Sequence, residues 1–301
     1  MIISICIATY NRNQLLDKLL LSILNQKLHS DIVLEIVVVD NNPDGNAIGV
    51  INNKYEDKTE IKVKYFIQPI KNISLTRNKA VKESSGEYLA FIDDDEFSDS
   101  EWIVNLYKTL IEFQADGVFG RVLSYFPSGT PDWIQECFVY NREAPETGSI
   151  AKSKRTGNCL IKASLLKVLD EPFNIAYGLT GGEDAMLFDS LATEGAKFVN
   201  CKEAVTYEFV PEDRTSLSWL ISRAFAMGNG YTRRMIQLNK YGNTGFAMRQ
   251  FAIGMLYGIV SFALCLIQLY DRKRRLHWFL KIFSNFGKVS ASLGIFPKRY
   301  S

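Results

Sequence analysis

Tyr88–Asp99 reads YLAFIDDDEFSD. An apolar, β-prone run stops abruptly at three consecutive aspartates and a glutamate. Like charges this close raise one another's pKa and cost stability unless a cation neutralises them. A short run that is apolar on both faces is a strand buried on both faces, as in a parallel sheet covered by helices. In such sheets ligands sit beyond the carboxyl ends of the strands. Asp93–Glu96 therefore stand where a ligand is expected. Hard cations such as Mg²⁺ or Mn²⁺ take a few carboxylate oxygens and leave other positions to water and a diphosphate. The competing reading is a solvated acidic turn whose charges oppose the macrodipole of the following helix. The strand directly in front favours metal.

The same pattern recurs upstream. Ile2–Ala8, Ile32–Val39 and Val63–Ile67 predict three more strands, and the chain after the first two reads ATYNR and VVDNN. Leu15–Leu28 shows helical periodicity on Leu16, Leu19, Leu20, Ile23 and Leu24. Ser74–Gly86 (SLTRNKAVKESSG) predicts a helix with Ser74 as N-cap and Gly86 just past its end. Ser98–Gln114 and Thr215–Leu238 predict two further helices. Strands alternating with helices imply an α/β fold: a Rossmann-like, mainly parallel sheet with helices on both faces. Val118–Lys162 reads as short strands and loops.

Composition narrows the function. The 301 residues are 47% hydrophobic and 23% charged, with 35 Lys+Arg against 33 Asp+Glu. A net charge of +2 offers no basic field for nucleic acid. Five scattered cysteines without a CxxC pair favour reduced thiols in a cytosolic setting. MIISICIATYNRN lacks a basic leader region and reads as a buried strand, which keeps the catalytic part in the cytoplasm. There is no GxGxxG and no GxxxxGK[ST], so nicotinamide and P-loop readings lack their phosphate cradle.

Other residues extend the site. Asp40 ends a strand, where an acid can accept hydrogen bonds from a base or ribose or simply form a turn. Arg77 could hold a phosphate or pair with the aspartates; an ordinary surface arginine is the plainer alternative. In TGGEDAML the glycines allow close backbone approach. Glu183 and Asp184 then lie at a helix start, where one could act as general base or cap the helix.

Taken together, ATYNR, VVVDNN, RNKA, FIDDDE and GGED resemble family 2 glycosyltransferases, inverting enzymes of the GT-A fold. FIDDDE, TGN, LTGGED and VPEDR…WLISRAFAMGN are similar more narrowly to the succinoglycan-type exopolysaccharide glucosyltransferases. The resemblance spans about Ile2 to Tyr231. It implies a metal-dependent hexosyltransferase that moves a sugar, glucose by family weighting, from a UDP-sugar to a hydroxyl of a lipid-linked or growing saccharide. The setting implied is bacterial exopolysaccharide, capsule or O-antigen synthesis, with a β-glycosidic product. Thr9 and Asp40 would hold uracil and ribose, and Arg77 would sit near the nucleotide or its phosphates. Asp93–Asp95 would form the DxD-type motif. Asp95 would be the direct Mg²⁺ or Mn²⁺ ligand, with Asp93 and Asp94 on ribose, metal or metal waters. Asp184 would be the catalytic base, with Glu183, Glu208, Asn158 and Trp133 in support. Many relatives carry His where this chain has Phe209 (YEFVP), so Glu208 or water would fill that role.

Phe251–Tyr270 contains no charge and is followed by RKRR, Arg272–Arg275. As a helix it would extend roughly 30 Å, enough to cross a bilayer. A single span would put either the basic cluster or the catalytic part on the wrong side. The expectation is a helix lying in the inner leaflet, on the cytoplasmic face of the bacterial inner membrane; a buried core or dimer helix is the alternative. Residues 1–240 then form the transferase domain and 241–301 a helical, membrane-associating region. Two other functions compete. Mg²⁺-dependent phosphoryl transfer would need a phosphate cradle or aspartyl nucleophile motif. A non-catalytic, membrane-bound nucleotide-sugar scaffold is supported only by Phe209.

Overall fold

In the computed structural model, which describes residues 1–55, 61–140, 145–239 and 243–297, four predicted strands lie parallel and adjacent. β1 (Ile2–Thr9) pairs with β2 (Val33–Asp40) on one side and β4 (Tyr88–Ile92) on the other. β3 (Lys62–Ile67) continues the sheet beyond β2. The antiparallel part adds β7 (Asn158–Lys162), β6 (Gly117–Tyr125), β8 (Phe198–Phe209) and a short edge strand, β5 (Glu96–Ser98). The eight strands run in the order β3-β2-β1-β4-β7-β6-β8-β5. The chain winds one way from β1 to β3 and resumes on the other side at β4. That reversal opens a crevice between the carboxyl ends of β1 and β4, where Thr9 and Asp93 stand.

Both faces are covered. Ile3, Ile5 and Ile7 pack with Leu16, Leu19, Leu20 and Ile23 of α1 (Asn13–Leu24) and with Trp102, Ile103, Leu106 and Leu110 of α4 (Trp102–Glu112). Tyr55, next to α2 (Ile48–Lys54), joins that layer. Cys6, Val37 and Val39 point the other way, onto Ala80 and Val81 of α3 (Ile73–Glu83) and Leu187, Phe188 and Leu191 of α7 (Glu183–Thr193). α5 (Asp132–Gln135) and α6 (Ala163–Lys167) are short. A strand whose side chains alternate between two buried layers is mainly apolar on both faces, which is why β1 and β2 show no polar alternation. Their interior polar residues, Ser4 and Glu35, satisfy each other, Ser4 Oγ donating to the Glu35 carboxylate at 2.5 Å.

Three boundaries differ from the expectation. The cap of α3 is Asn72, whose Oδ1 accepts from Leu75 N at 3.1 Å. Ser74 instead donates to the Asn174 carbonyl at 2.9 Å, across the packed face. The helix closes at Ser84, while Gly86 gives its N–H to Ser4 Oγ. Ser98, expected at a helix start, ends β5, because Glu96–Ser98 pair with β8.

The chain forms two compact units: Met1–Leu123, Ala144–Leu179 and Glu183–Glu208 in the first, Ser124–Glu143, Thr180–Gly182 and Phe209–Ser301 in the second. The second holds α5, α8 (Leu217–Leu238), α9 (Asn243–Ile267) and α10 (Arg272–Ser292). Its core joins Ile134, Tyr140, Leu220, Ala224, Leu276 and Leu280. α8, assigned from sequence to residues 1–240, packs on α10 at backbone distance. A Cβ at Gly228 would strike the Ser284 backbone, and one at Gly287 the Phe225 carbonyl.

Candidate active site

The acid run sits in the crevice between β1 and β4. Thr9 Oγ1 donates to Asp94 Oδ2 at 2.9 Å, and the Tyr10 amide reaches the same oxygen at 3.4 Å. The chain then turns at Asn11, whose φ of 56° lies in the left-handed region that Asn tolerates. That turn brings Arg12 over the acids. Its Nη1 donates to Asp94 Oδ1 at 2.7 Å and to Asp95 Oδ2 at 2.9 Å. Burial, with Asp94, Asp93 and Glu208 nearby, still raises the Asp95 carboxyl to about 7 in spite of Arg12. Asp94 moves the same way, first by burial. One guanidinium does not neutralise this cluster.

A second arginine links the acids to α7. Arg77, on α3, donates from Nη2 to Asp93 Oδ1 at 3.0 Å and from Nη1 to Glu183 Oε1. Glu183 is buried, and burial raises its carboxyl to about 7 against the pull of Arg77. Asp184 is half-buried and held by backbone amides: Ala185 N at 2.7 Å and Thr156 N at 3.4 Å. The neighbouring Gly157 runs so close to the acids that a Cβ would lie 2.7 Å from Glu96 Oε1 and 3.2 Å from Asp93 Oδ2. Thr156 Oγ1 and Glu183 Oε2 are buried with no hydrogen-bond partner among the described residues. Buried polar atoms are ordinarily satisfied, so these two, flanking Asp184, fit a polar ligand in the crevice.

Residues 4–169 match the model of a family described as glycosyl transferase family 2. The chain belongs to that family. It is 28% identical over 235 residues to the succinoglycan biosynthesis protein ExoM of Rhizobium meliloti, covering 78% of this chain and 75% of that protein. The crystal structure of S. aureus TarS 1-349 with UDP-GlcNAc superimposes at a TM-score of 0.55, with 15% identity, over 93% of this chain and 90% of that one. The mannosyltransferase PcManGT from Pyrobaculum calidifontis, in complex with GDP-Man and Mn²⁺, gives a TM-score of 0.66 and 17% identity, over 96% and 86%. At these identities the two structures establish the GT-A fold.

In this family 2 glycosyltransferase Asp94, which Thr9 also reaches, and Asp95 meet at Arg12, Asp93 and Glu183 meet at Arg77, and Asp184 meets the Thr156 amide. The three groups adjoin because Asp93 and Asp94, and Glu183 and Asp184, are neighbours in the chain. Glu208, on β8, faces Glu96 of β5 and adds charge near Asp95. Asp40 is wholly buried, and its oxygens accept from the Asn42 and Ala47 amides at 2.9 Å and from Tyr65 Oη at 2.8 Å. These contacts hold the turn after β2. Asn158 is also engaged inside the sheet. It accepts from Trp102 Nε1 at 2.8 Å and donates to the Ala204 and Arg121 carbonyls. Trp133 packs in the second unit against the core around Ile134. Arg12 is the residue the sequence reading passed over. It stood at the end of ATYNR, a cation just past a strand terminus, and that was its signal.

The donor set suits a divalent metal in kind: hard carboxylate oxygens with excess negative charge. Among the described residues no three of these acids already converge as a cage. Asp94 and Asp95 turn to Arg12, and Asp93 to Arg77. Such a set fits an ion that takes one or two carboxylates and completes its shell with water and diphosphate oxygens.

Proposed function

We propose that this transferase moves a hexose, glucose first among the candidates, from a UDP-sugar to a hydroxyl of a lipid-linked or growing bacterial saccharide, with inversion to a β-glycoside. The observation that carries the reading is the Arg77 fork between Asp93 and Glu183, which ties the acid run to the start of α7. Asp95, with Asp93 and Asp94 beside it, would hold Mg²⁺ or Mn²⁺. A bound ion of this kind supplies Lewis-acid stabilisation of charge on a departing diphosphate.

The chain's own residues divide the rest. Glu183 is buried and paired with a cation, so it orients the start of α7. Asp184 is half-exposed, is held by amides and has no cationic partner in the described contacts, so it is the acid that can accept a proton from an acceptor hydroxyl. One displacement by that oxygen inverts the anomeric centre, and no covalent sugar-carboxylate intermediate is needed, in contrast to retaining hydrolysis. Thr9 steadies Asp94 at the crevice floor. The acceptor's lipid would bring the enzyme to the cytoplasmic face of the inner membrane. This reading is supported by the family and by the apolar helix α9.

The test supplies UDP-glucose, UDP-galactose and UDP-GlcNAc with Mn²⁺ and a membrane lipid extract, comparing the wild type with Asp184→Asn. Transfer is expected in the wild type, and loss of transfer with UDP affinity kept in the variant. Undiminished transfer by Asp184→Asn removes it as base.

A further inference from the structure

α9 has inverted polarity for a helix of a water-soluble unit. It is long and apolar enough to cross a membrane, yet only 17% of its apolar stretch is buried. Its buried residues include Gly254 and Ser261, and Phe246, Ile253 and Leu264 are half-buried. One face carries only small or polar residues, Gly254, Gly258, Ser261 and Cys265. All four meet α10. Gly254 lies against Val289 and the Asn285 carbonyl, and Gly258 against Asn285. Ser261 Oγ accepts from Asn285 Nδ2 at 3.3 Å, and Cys265 Sγ lies 3.8 Å from the Arg275 carbonyl. Most of the large apolar side chains point away: Leu256, Ile259, Phe262 and Ile267 are 60%, 64%, 57% and 70% exposed. A helix that serves a soluble core does the reverse. Small residues at the helix contact and large ones outside is the arrangement of helices solvated by lipid.

Charge identifies the occupant of that face. The 59 residues from Asn243 onward contain nine Lys+Arg and one acid, Asp271, whereas the preceding 242 have 26 against 32. Arg272, Lys273 and Arg274 are exposed at the end of the apolar helix, beside a fully exposed Tyr270. An apolar face next to a basic cluster and an interfacial aromatic is complementary to an anionic lipid surface. The same contacts forbid a crossing. α9 is fastened along α10, which carries Arg272–Arg275, Lys281 and Lys288, and α10 is fastened at backbone distance to α8. Drawing α9 across the bilayer would drag those charges into hydrocarbon or strip its inner face.

We propose that α9 is a monotopic anchor. Its outer face, from Phe251 to Ile267, is immersed in one leaflet of an anionic bilayer, α10 closes it off on the aqueous side, and Arg272–Arg275 meet the headgroups. This rests on the reading that the transferase works at a membrane surface, and it specifies how the chain is held there.

The experiment uses the full chain with vesicles of phosphatidylcholine alone or mixed with phosphatidylglycerol. Wild type is expected to float with the mixed vesicles and to bind the neutral ones far more weakly. Ile259→Glu with Phe262→Glu is expected to stay in solution while still binding UDP, which shows that the first unit is folded. Each basic residue removed, beginning with Arg272→Gln, is expected to weaken binding to anionic vesicles by about fivefold. Topology is read with Gly245→Cys and Tyr270→Cys in a Cys265→Ser background, labelled by an impermeant maleimide added outside sealed vesicles; the other four cysteines are buried. Labelling of both positions from the side of addition supports the anchor. Labelling from opposite sides means a span, overturning the proposal while leaving the membrane reading intact. Unchanged flotation of the double-Glu variant overturns the proposal in the same way. Binding to no vesicle, with self-association that Ile259→Glu abolishes, overturns both and assigns the face to a second copy of the chain.

Discussion

Replacing Arg12 with Gln should tighten divalent-metal binding in the absence of nucleotide and destabilise the metal-free protein. Arg12 Nη1 lies 2.7 Å from Asp94 and 2.9 Å from Asp95, so an incoming cation competes with the guanidinium for the same oxygens. A charge-assisted hydrogen bond is worth about 1.5–3 kcal/mol net. Because the Arg12 side chain is 37% exposed, solvent screening favours the low end, giving about 3 kcal/mol for the two. Full relief of that competition would lower the Mn²⁺ dissociation constant by roughly 100-fold, since every 1.4 kcal/mol is tenfold. The same loss should cost the metal-free fold about 3 kcal/mol, a drop in Tm on the order of 10 °C, which saturating Mn²⁺ should largely reverse by mass action. Titration calorimetry with Mn²⁺ on both proteins, without UDP, and melting curves with and without Mn²⁺ provide the readout. A well-folded Arg12→Gln protein with unchanged or weaker Mn²⁺ affinity would refute the reasoning, because Arg12 would then not occupy the ion's place.

Arg77→Gln should destabilise by about 3–5 kcal/mol, because Glu183 is left buried beside no cation. Arg77→Gln combined with Glu183→Gln should recover most of that loss in urea melts, and simple additivity of the two changes would contradict it. Asp184→Asn should lower kcat by roughly 10²–10⁴-fold with UDP affinity kept, whereas Glu183→Gln should act mainly on stability. Mn²⁺ affinity should climb as pH rises through about 7, where Asp95 loses its proton in the fold. Without metal the same group makes stability fall over that rise, since from about 4 to about 7 the folded state holds a proton that the unfolded chain has released. A Mn²⁺ affinity that is flat from pH 6 to about 8 would count against Asp95 as ligand. Glu35 runs the other way. Burial alone would raise it, but hydrogen bonds from Ser4, from the amide and hydroxyl of Ser85, and from Lys64 hold it down at about 2. Its contribution is full above its ordinary value of 4.5 and drains as pH falls towards about 2, so Glu35→Gln should flatten acid unfolding in that window.

Strand and helix identity in the first unit followed from local chemistry. Ile3, Ile5 and Ile7 face one helical layer and Cys6 the other, and a short β-prone run that is apolar on both faces, with Ser4 its one interior polar residue, fits a strand buried on both faces. The acid run after β4 and the Glu183–Asp184 pair were recognisable because strand ends and helix starts are where α/β sheets present chemistry. Inversion of polarity in α9 could not be read from its composition. Gly254, Gly258 and Ser261 interrupt an apolar sequence, and only their contact with Asn285 and Val289 reveals which face is inside.

The remaining details depended on partners distant in the chain. Asn72 rather than Ser74 caps α3, because Ser74 has a carbonyl to meet at Asn174, 100 residues on. The Asp40 carboxylate is fixed in the turn after β2 with the help of Tyr65, on the next strand, which reaches it from 25 residues away. Arg12 and Arg77 look alike in sequence, each a cation near a strand or helix end. Folding sets Arg12 across Asp94 and Asp95, and Arg77 between Asp93 and Glu183, 106 residues further along. Local propensity decides what each segment becomes, since φ/ψ preference and the period of apolar residues are properties of neighbours in sequence. Which carboxylate faces which cation is decided by how the sheet brings strand ends together, and that closure is a property of the whole fold.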